Sequence, residues 1–266
     1  MLHIVSAAAE QLNAVQKRDV LRYPPYPITH FNQDAYICNQ QDGIFAVADG
    51  VGSRPHSDLA AKEVLAAFVK VFSHHGLPAT AEQARERIHD GLIDRLQRAA
   101  ALTQGATTLT GMVVTPDGHA TYISAGDSQF LIRRPAQIIR QTSEQTLKQE
   151  VPGQQIHGLY NFFGMVDGYD PYVPRQQLTA LPGTMTISQG TEWGSVKLQR
   201  GDRLILVTDG VIGDRPDERL SELDWLGLTR RALGAKACAH ALVNYSRKVD
   251  DTTAVVVDYG AVQLIA

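Results

Sequence analysis

The chain has 266 residues, 44% hydrophobic and 20% charged, an ordinary globular usage that excludes collagen, coiled-coil and disordered classes. Lys and Arg number 25 against 28 Asp and Glu, a formal net charge of −3; with no basic surplus for a phosphate backbone, nucleic acid is not expected as a partner. No apolar run approaches the roughly 20 residues that span a bilayer, and residues 1–19 lack a basic stretch ahead of an apolar core, so neither a membrane segment nor a signal peptide is expected.

In chain order, the Pro24, Pro25 and Pro27 cluster reads as an extended lead-in, because each proline disfavours helix in its predecessor. Residues 35–40 and 43–49 are apolar β-type runs joined through Asp42-Gly43, a hairpin signal. Residues 107–114 and 119–126 repeat the device through Pro116-Asp117-Gly118. Between the hairpins, the spacing of Ala61, Leu65, Phe68, Val69 and Phe72 predicts a helix over 57–74. A second helix over 81–103 opens on the capping box Thr80-x-x-Gln83 and buries Ile88, Leu92, Leu96 and Ala99. Two continuous apolar strands, 203–208 and 252–259, flank a third helix over 235–248. The stretch 143–183 fits neither pattern; rich in Gly and Pro among aromatics, it reads as an irregular flap in which Tyr160, Phe162 and Phe163 form a local mini-core or, in the other reading, dock a peptide. Trp193 and Trp225 read as packing residues. Hairpins with helices laid over them make an α+β chain, expected as one domain over 1–266. Cys38 and Cys238 make neither a disulfide framework nor a zinc spacing, and a reduced, cytoplasmic protein is expected.

The aspartates fall at strand ends. Asp34 precedes one strand, Asp49 closes another ahead of Gly50, and Asp127 follows a third. Asp209 closes a fourth ahead of Gly210, and Asp250-Asp251 open the last. Asp is depleted in strands and unfavourable to bury unpaired. Repeated placement at the mouths of buried strands implies a shared cation, and carboxylate and carbonyl oxygens suit Mg²⁺ or Mn²⁺. Asp42, Asp117 and Asp167 read as turn residues, Asp90 as a solvated helix position, Asp214 as a turn or helix-start residue, and Asp251 as a cap of its own turn.

Asn32-Gln33-Asp34 with Phe45 through Gly52 resembles the opening motifs of the metal-dependent protein phosphatases of type 2C. Gly105-Ala106-Thr107-Thr108, Ala125-Gly126-Asp127-Ser128, Gly201 through Gly210, and Asp250-Asp251-Thr252-Thr253 are similar to that family's later motifs, in family order. The resemblance implies a four-layer sandwich of two antiparallel sheets flanked by helices, with two divalent ions in the cleft between the sheets. It implies that Asp49 bridges both ions, that the Gly50 carbonyl serves the second, and that Asp209 and Asp250 complete the first. Asp34 would act through water, and Asp127 with Asp209 would hold a third ion, as in bacterial-type members. The implied reaction is hydrolysis of phosphoserine or phosphothreonine on proteins by water activated between two Mn²⁺ or Mg²⁺ ions, in a monomer that opposes a Ser/Thr kinase. Gln33 stands where many members have a Glu ligand, Val51 where animal members have a His, and Thr29 where the family commonly has a phosphate-gripping Arg. His30, Arg54 and His56 are the candidate phosphate contacts. Two other readings stay open: a catalytically silent member acting as a regulatory binding module, and a phosphoesterase for small molecules.

Overall fold

The computed structural model describes residues 4–11, 32–52, 54–74, 76–135, 137–151, 154–159, 161–164, 191–248 and 250–260. The proline cluster, Thr29, His30, Tyr160, Asp167 and the 165–183 part of the flap lie outside the described residues. The strands begin with β1 (Ile4–Gln11), β2 (Asp34–Asn39), β3 (Ile44–Asp49), β4 (Ala106–Thr107), β5 (Leu109–Thr115), β6 (His119–Ala125) and β7 (Gln129–Arg134). They continue with β8 (Gln137–Arg140), β9 (Thr146–Val151), β10 (Gln154–Leu159), β11 (Phe163–Gly164), β12 (Glu192–Lys197), β13 (Arg203–Val207) and β14 (Thr252–Tyr259). The helices are α1 (Ser57–Ser73), α2 (Ala81–Arg87), α3 (Ile93–Leu102), α4 (Asp209–Ile212), α5 (Glu222–Leu228) and α6 (Ala235–Tyr245).

Two antiparallel five-stranded sheets, ordered β1-β14-β13-β7-β8 and β12-β6-β5-β3-β2, form the frame. Side-chain alternation decides which layer each residue enters. Phe45 and Val47 of β3 meet Leu204 and Leu206 of β13 and Val255 and Val257 of β14 between the sheets. The intervening Ile44, Ala46 and Ala48 face α1 and α3, packing with Leu65, Phe68 and Leu96. On the opposite side Ile205, Val207, Ala254 and Val256 pack on Trp225 of α5 and Cys238 and Leu242 of α6. The result is helices, sheet, sheet, helices, the expected α+β sandwich.

The second expected helix is broken. Asp90 (φ −75°, ψ 40°) and Gly91 (φ +82°, ψ 21°) leave helical geometry inside a π-helical turn, Ile88–Leu92, that separates α2 from α3. The left-handed φ at Gly91 suits a residue without Cβ, so the Asp90-Gly91 pair marks a kink, with Asp90 solvent-exposed as expected but outside helical geometry. The third helix stops at Tyr245. The expected 107–114 strand divides at Thr108 into β4 and β5.

Three further corrections concern the flap and the aromatics. Part of 143–183 is regular: β9 and β10 pair as an antiparallel hairpin, and β11 pairs with β4. Phe163 is fully buried in the helix-side core rather than in a mini-core of its own. Trp225 is buried, but Trp193 is 38% exposed, with His89 edge-on at 4.6 Å and the Arg85 guanidinium 5.5 Å from its ring centre. Among the described residues, no helix is long and apolar enough to cross a membrane.

Candidate metal centre

Asp34 and Asp49 face each other in the β2–β3 register, at the end of the hairpin remote from its turn. Residues of the neighbouring motifs tie Asp49 in place. Its N–H donates to Thr108 Oγ1 (3.0 Å), and its carbonyl accepts from Thr107 Oγ1 (2.9 Å) and the Thr108 N–H (2.8 Å). Thr108 Oγ1 in turn shares a hydrogen bond with Ser128 Oγ (3.0 Å). The threonines of the 105–108 motif and the serine beside Asp127 therefore position the backbone around Asp49, and Thr108 also lines the cleft.

The second sheet supplies the remaining carboxylates. Asp209 opens α4 directly after β13, and Asp250 precedes β14. The two chain segments approach so closely that a Cβ on Gly210 would stand 2.0 Å from the Asp251 carbonyl oxygen. Asp251 accepts the Gln33 N–H at 2.9 Å, so it fastens the strand-end loop carrying Asp34. Thr208 Oγ1 donates to Asp34 (2.8 Å) and accepts the Thr253 N–H (3.0 Å), linking both sheets at the centre.

Asp49, Asp127, Asp209 and Asp250, together with Gln33, Gly50 and Arg54, line one cleft of about 420 Å³. Oxygens of Asp49, Asp127 and Asp209 lie within 4.8 Å of one another. Oδ1 of Asp34, Asp127 and Asp209 is buried and accepts no hydrogen bond, which is unfavourable unless a cation takes the lone pairs. Burial, followed by repulsion from Asp209, pushes the Asp49 and Asp127 carboxyls well above the usual range. Burial lifts Asp34 to about 8 despite its Thr253 and Thr208 hydrogen bonds, and Asp250 to about 6. Without a cation these groups take up protons to relieve their charge. All-oxygen donors, orphaned lone pairs and mutually raised acids fit a hard divalent ion.

Sequence reasoning missed several groups at the cleft wall or just behind it. Lys248 forms ion pairs with Asp209, with Asp250 (2.9 Å) and with Asp214 (3.0 Å). Against the burial that would lower it, these carboxylates hold the ammonium well above the ordinary lysine range. Burial works against ionisation of Asp209 as well, yet Lys248 keeps it below the usual range. Asp214 is thus an ion-pair partner at the rim and not simply a turn residue. Arg219 pairs with Glu144 at 2.5 Å, and both line the cleft with Thr146, Leu159 and Phe162 from the foot of the flap. The signal for Lys248 was its place two residues before Asp250, obscured by its reading as the end of a helix. Of the candidate phosphate contacts, Arg54 lines the cleft. His56 is the exposed residue before α1, at φ +54°, and its side chain makes no capping bond.

Burial raises the Cys38 thiol and pushes Cys238 up to about 11, opposite to the depressed range of a nucleophilic thiolate. Compared with solved structures, the chain has a TM-score of 0.64 to the catalytic domain of the serine/threonine protein phosphatase PstP in complex with two manganese ions, at 18% identity, over 97% of this chain and 99% of that one. It has a TM-score of 0.60 to the PPM Ser-Thr phosphatase MsPP from Mycobacterium smegmatis, at 20% identity, covering 96% and 98%. PppA, a type VI secretion regulator of Pseudomonas aeruginosa, gives 0.64 at 18% identity, covering 96% and 97%. At such identities the likeness concerns the fold. A comparison with curated protein sequences returned no match. The profile of the protein phosphatase 2C family matches residues 29–245, and the chain belongs to that family.

Proposed function

We propose that this protein hydrolyses phosphoserine and phosphothreonine on proteins, in a reaction that depends on Mn²⁺ or Mg²⁺. The observation that supports this most is the convergence of Asp49, Asp127, Asp209 and Asp250 on one open cleft, with buried carboxylate oxygens left without hydrogen bonds. In this reading Asp49, Asp209 and Asp250 hold one ion. Asp49 and the Gly50 carbonyl hold the other, with Asp34 behind them. Asp127 and Asp209 are the ligands of a third. When bound, such ions would make water a better nucleophile near neutral pH and withdraw charge from the phosphoryl group. Arg54, at the rim, orients the phosphate by paired hydrogen bonds, and the hydrophobic Leu159 and Phe162 accept the peptide around it.

The titratable residues have a second task. Carboxyls that are protonated in the ion-free centre give up their protons as ions enter, which couples loading to pH. In this reading the whole chain is one catalytic unit in the cytoplasm, a monomer opposing a Ser/Thr kinase. The alternative of a silent binding module is favoured by one observation, the ammonium of Lys248 already seated among three carboxylates. Phosphate release from a phosphoserine peptide, from nucleotides and from p-nitrophenyl phosphate, each with Mn²⁺ and with EDTA, separates the readings. The proposal expects Mn²⁺-dependent release with the peptide preferred over nucleotides. Nucleotide preference would assign a small-molecule phosphoesterase, and no release from any substrate would assign the silent module.

A further inference from the structure

Lys248 enters the centre from a short segment after α6, and the segment is itself fastened. Ser246 Oγ donates to the Gly210 carbonyl, beside Asp209. The Lys248 side chain is 12% exposed, with its ammonium on Asp209, Asp250 (2.9 Å) and Asp214 (3.0 Å). Two of these partners, Asp209 and Asp250, are the carboxylates that the metal-dependent reading gives to one ion. A divalent cation held by the same two carboxylates, Asp209 offering its unpartnered Oδ1 while Lys248 holds Oδ2, would stand close to a second, like charge. Lys248 is also the cation that offsets repulsion among the buried carboxylates when no ion is bound. Asp214, the partner outside the proposed ligand set, has a side chain 36% exposed at the rim.

We propose that Lys248 is a built-in competitor for the metal: its ammonium occupies the Asp209–Asp250 cation position in the ion-free protein and withdraws toward Asp214 and solvent when a divalent ion binds. The inference rests on the metal-dependent reading and adds a threshold to it. An ion enters a centre already neutralised, so loading requires a higher free concentration than the carboxylates alone would need. The lysine meanwhile keeps the ion-free fold intact.

Two measurements test this without recourse to turnover. In calorimetric Mn²⁺ titrations, Lys248→Met should bind at least about tenfold more tightly than the native chain, because the competent state no longer has to expel a cation. In EDTA the same variant should melt at a lower temperature than the native chain. Should Lys248→Met not fold without metal, the native chain carries the test. Acylation of the Lys248 amine, followed by mass spectrometry, should rise several-fold as Mn²⁺ is added. Equal or weaker Mn²⁺ binding by Lys248→Met, or Lys248 labelling that stays level or falls on loading, would overturn the proposal by showing that the lysine remains as a fixed cation. If neither protein binds Mn²⁺ at millimolar concentration, the metal-dependent reading falls and the inference with it.

Discussion

At the scale of single residues, the centre depends on where each carboxylate points and on what it repels. Asp209 touches most of the others: it raises Asp49, Asp127 and Asp250 by its charge and pairs with Lys248. Asp209→Asn should therefore lower Mn²⁺-dependent turnover by at least about 10²-fold at saturating metal; steady-state rates with a phosphopeptide check this, and near-native turnover would remove Asp209 from the centre. Gly210→Ala tests close approach. Its methyl would meet the Asp251 carbonyl at 2.0 Å, so the strand ends must separate, with an expected loss of about 1–3 kcal/mol in denaturant unfolding and weaker Mn²⁺ binding. The carboxylates were legible in the sequence because Asp recurs at the ends of several buried apolar strands, where it is otherwise depleted. Arg219 was not, because its partner Glu144 lies 75 positions away, and Lys248 was not, because its pairing with Asp209 spans 39 positions while its nearness to Asp250 was masked by its reading as the end of a helix.

At the scale of elements, continuous apolar runs bounded by turn signals identified β2, β3, β5, β6, β13 and β14, and helical spacing identified α1, since both patterns are local; β7, inside its sheet, escaped. The edge strands β1, β8 and β12 escaped notice because much of their surface is half-buried or exposed, which blurs the apolar alternation. The α2–α3 kink escaped because hydrophobic spacing continues through it. The flap escaped in part: its feet are held by polar bonds that leave no apolar pattern. Gln97 donates to the Gly164 carbonyl (2.6 Å) and accepts its N–H (3.0 Å), while Gln145 Oε1 accepts from Asn161 (2.7 Å) and the Gly126 N–H (2.9 Å). Anchored feet beside the cleft imply that the segment between them governs substrate choice. Replacing residues 149–157 with a short Gly-Ser turn should raise KM for a phosphoprotein severalfold while leaving p-nitrophenyl phosphate hydrolysis and the thermal midpoint near native. Parallel loss of both activities with a lowered midpoint would make the hairpin part of the core. Arg203 illustrates the structural use of charge: fully buried, it bonds Asp258 (2.7 and 2.9 Å) and the carbonyls of Thr229, Arg230 and Leu233 ahead of α6. Arg203→Met strands Asp258 and should destabilise the fold by about 3–5 kcal/mol in urea unfolding.

At the scale of the whole molecule, two sheets close on a hydrophobic layer and bring their acidic strand ends to one mouth, so the stability of the ion-free fold depends on pH. A carboxyl whose folded pKa is raised binds its proton more tightly when folded; its contribution is present below the unfolded value and lost as pH rises through the folded one. For Asp34 that window runs from 3.8 to about 8. Asp49 and Asp127 share its sign, while Asp209, held low, has the opposite one. The thermal midpoint in EDTA should therefore fall between about pH 6 and about pH 8, and saturating Mn²⁺ should abolish the fall by favouring the ionised carboxylates. A midpoint in EDTA that rises over this interval would contradict the assignment of signs. The central claim, that carboxylates from separate strands form one divalent-metal centre, is tested most directly by anomalous diffraction from crystals grown with Mn²⁺. The account predicts one peak bound by Asp49, Asp209 and Asp250 and a second by Asp49 and the Gly50 carbonyl. Peaks confined to other sites, or no peak in this cleft at saturating Mn²⁺, would contradict it.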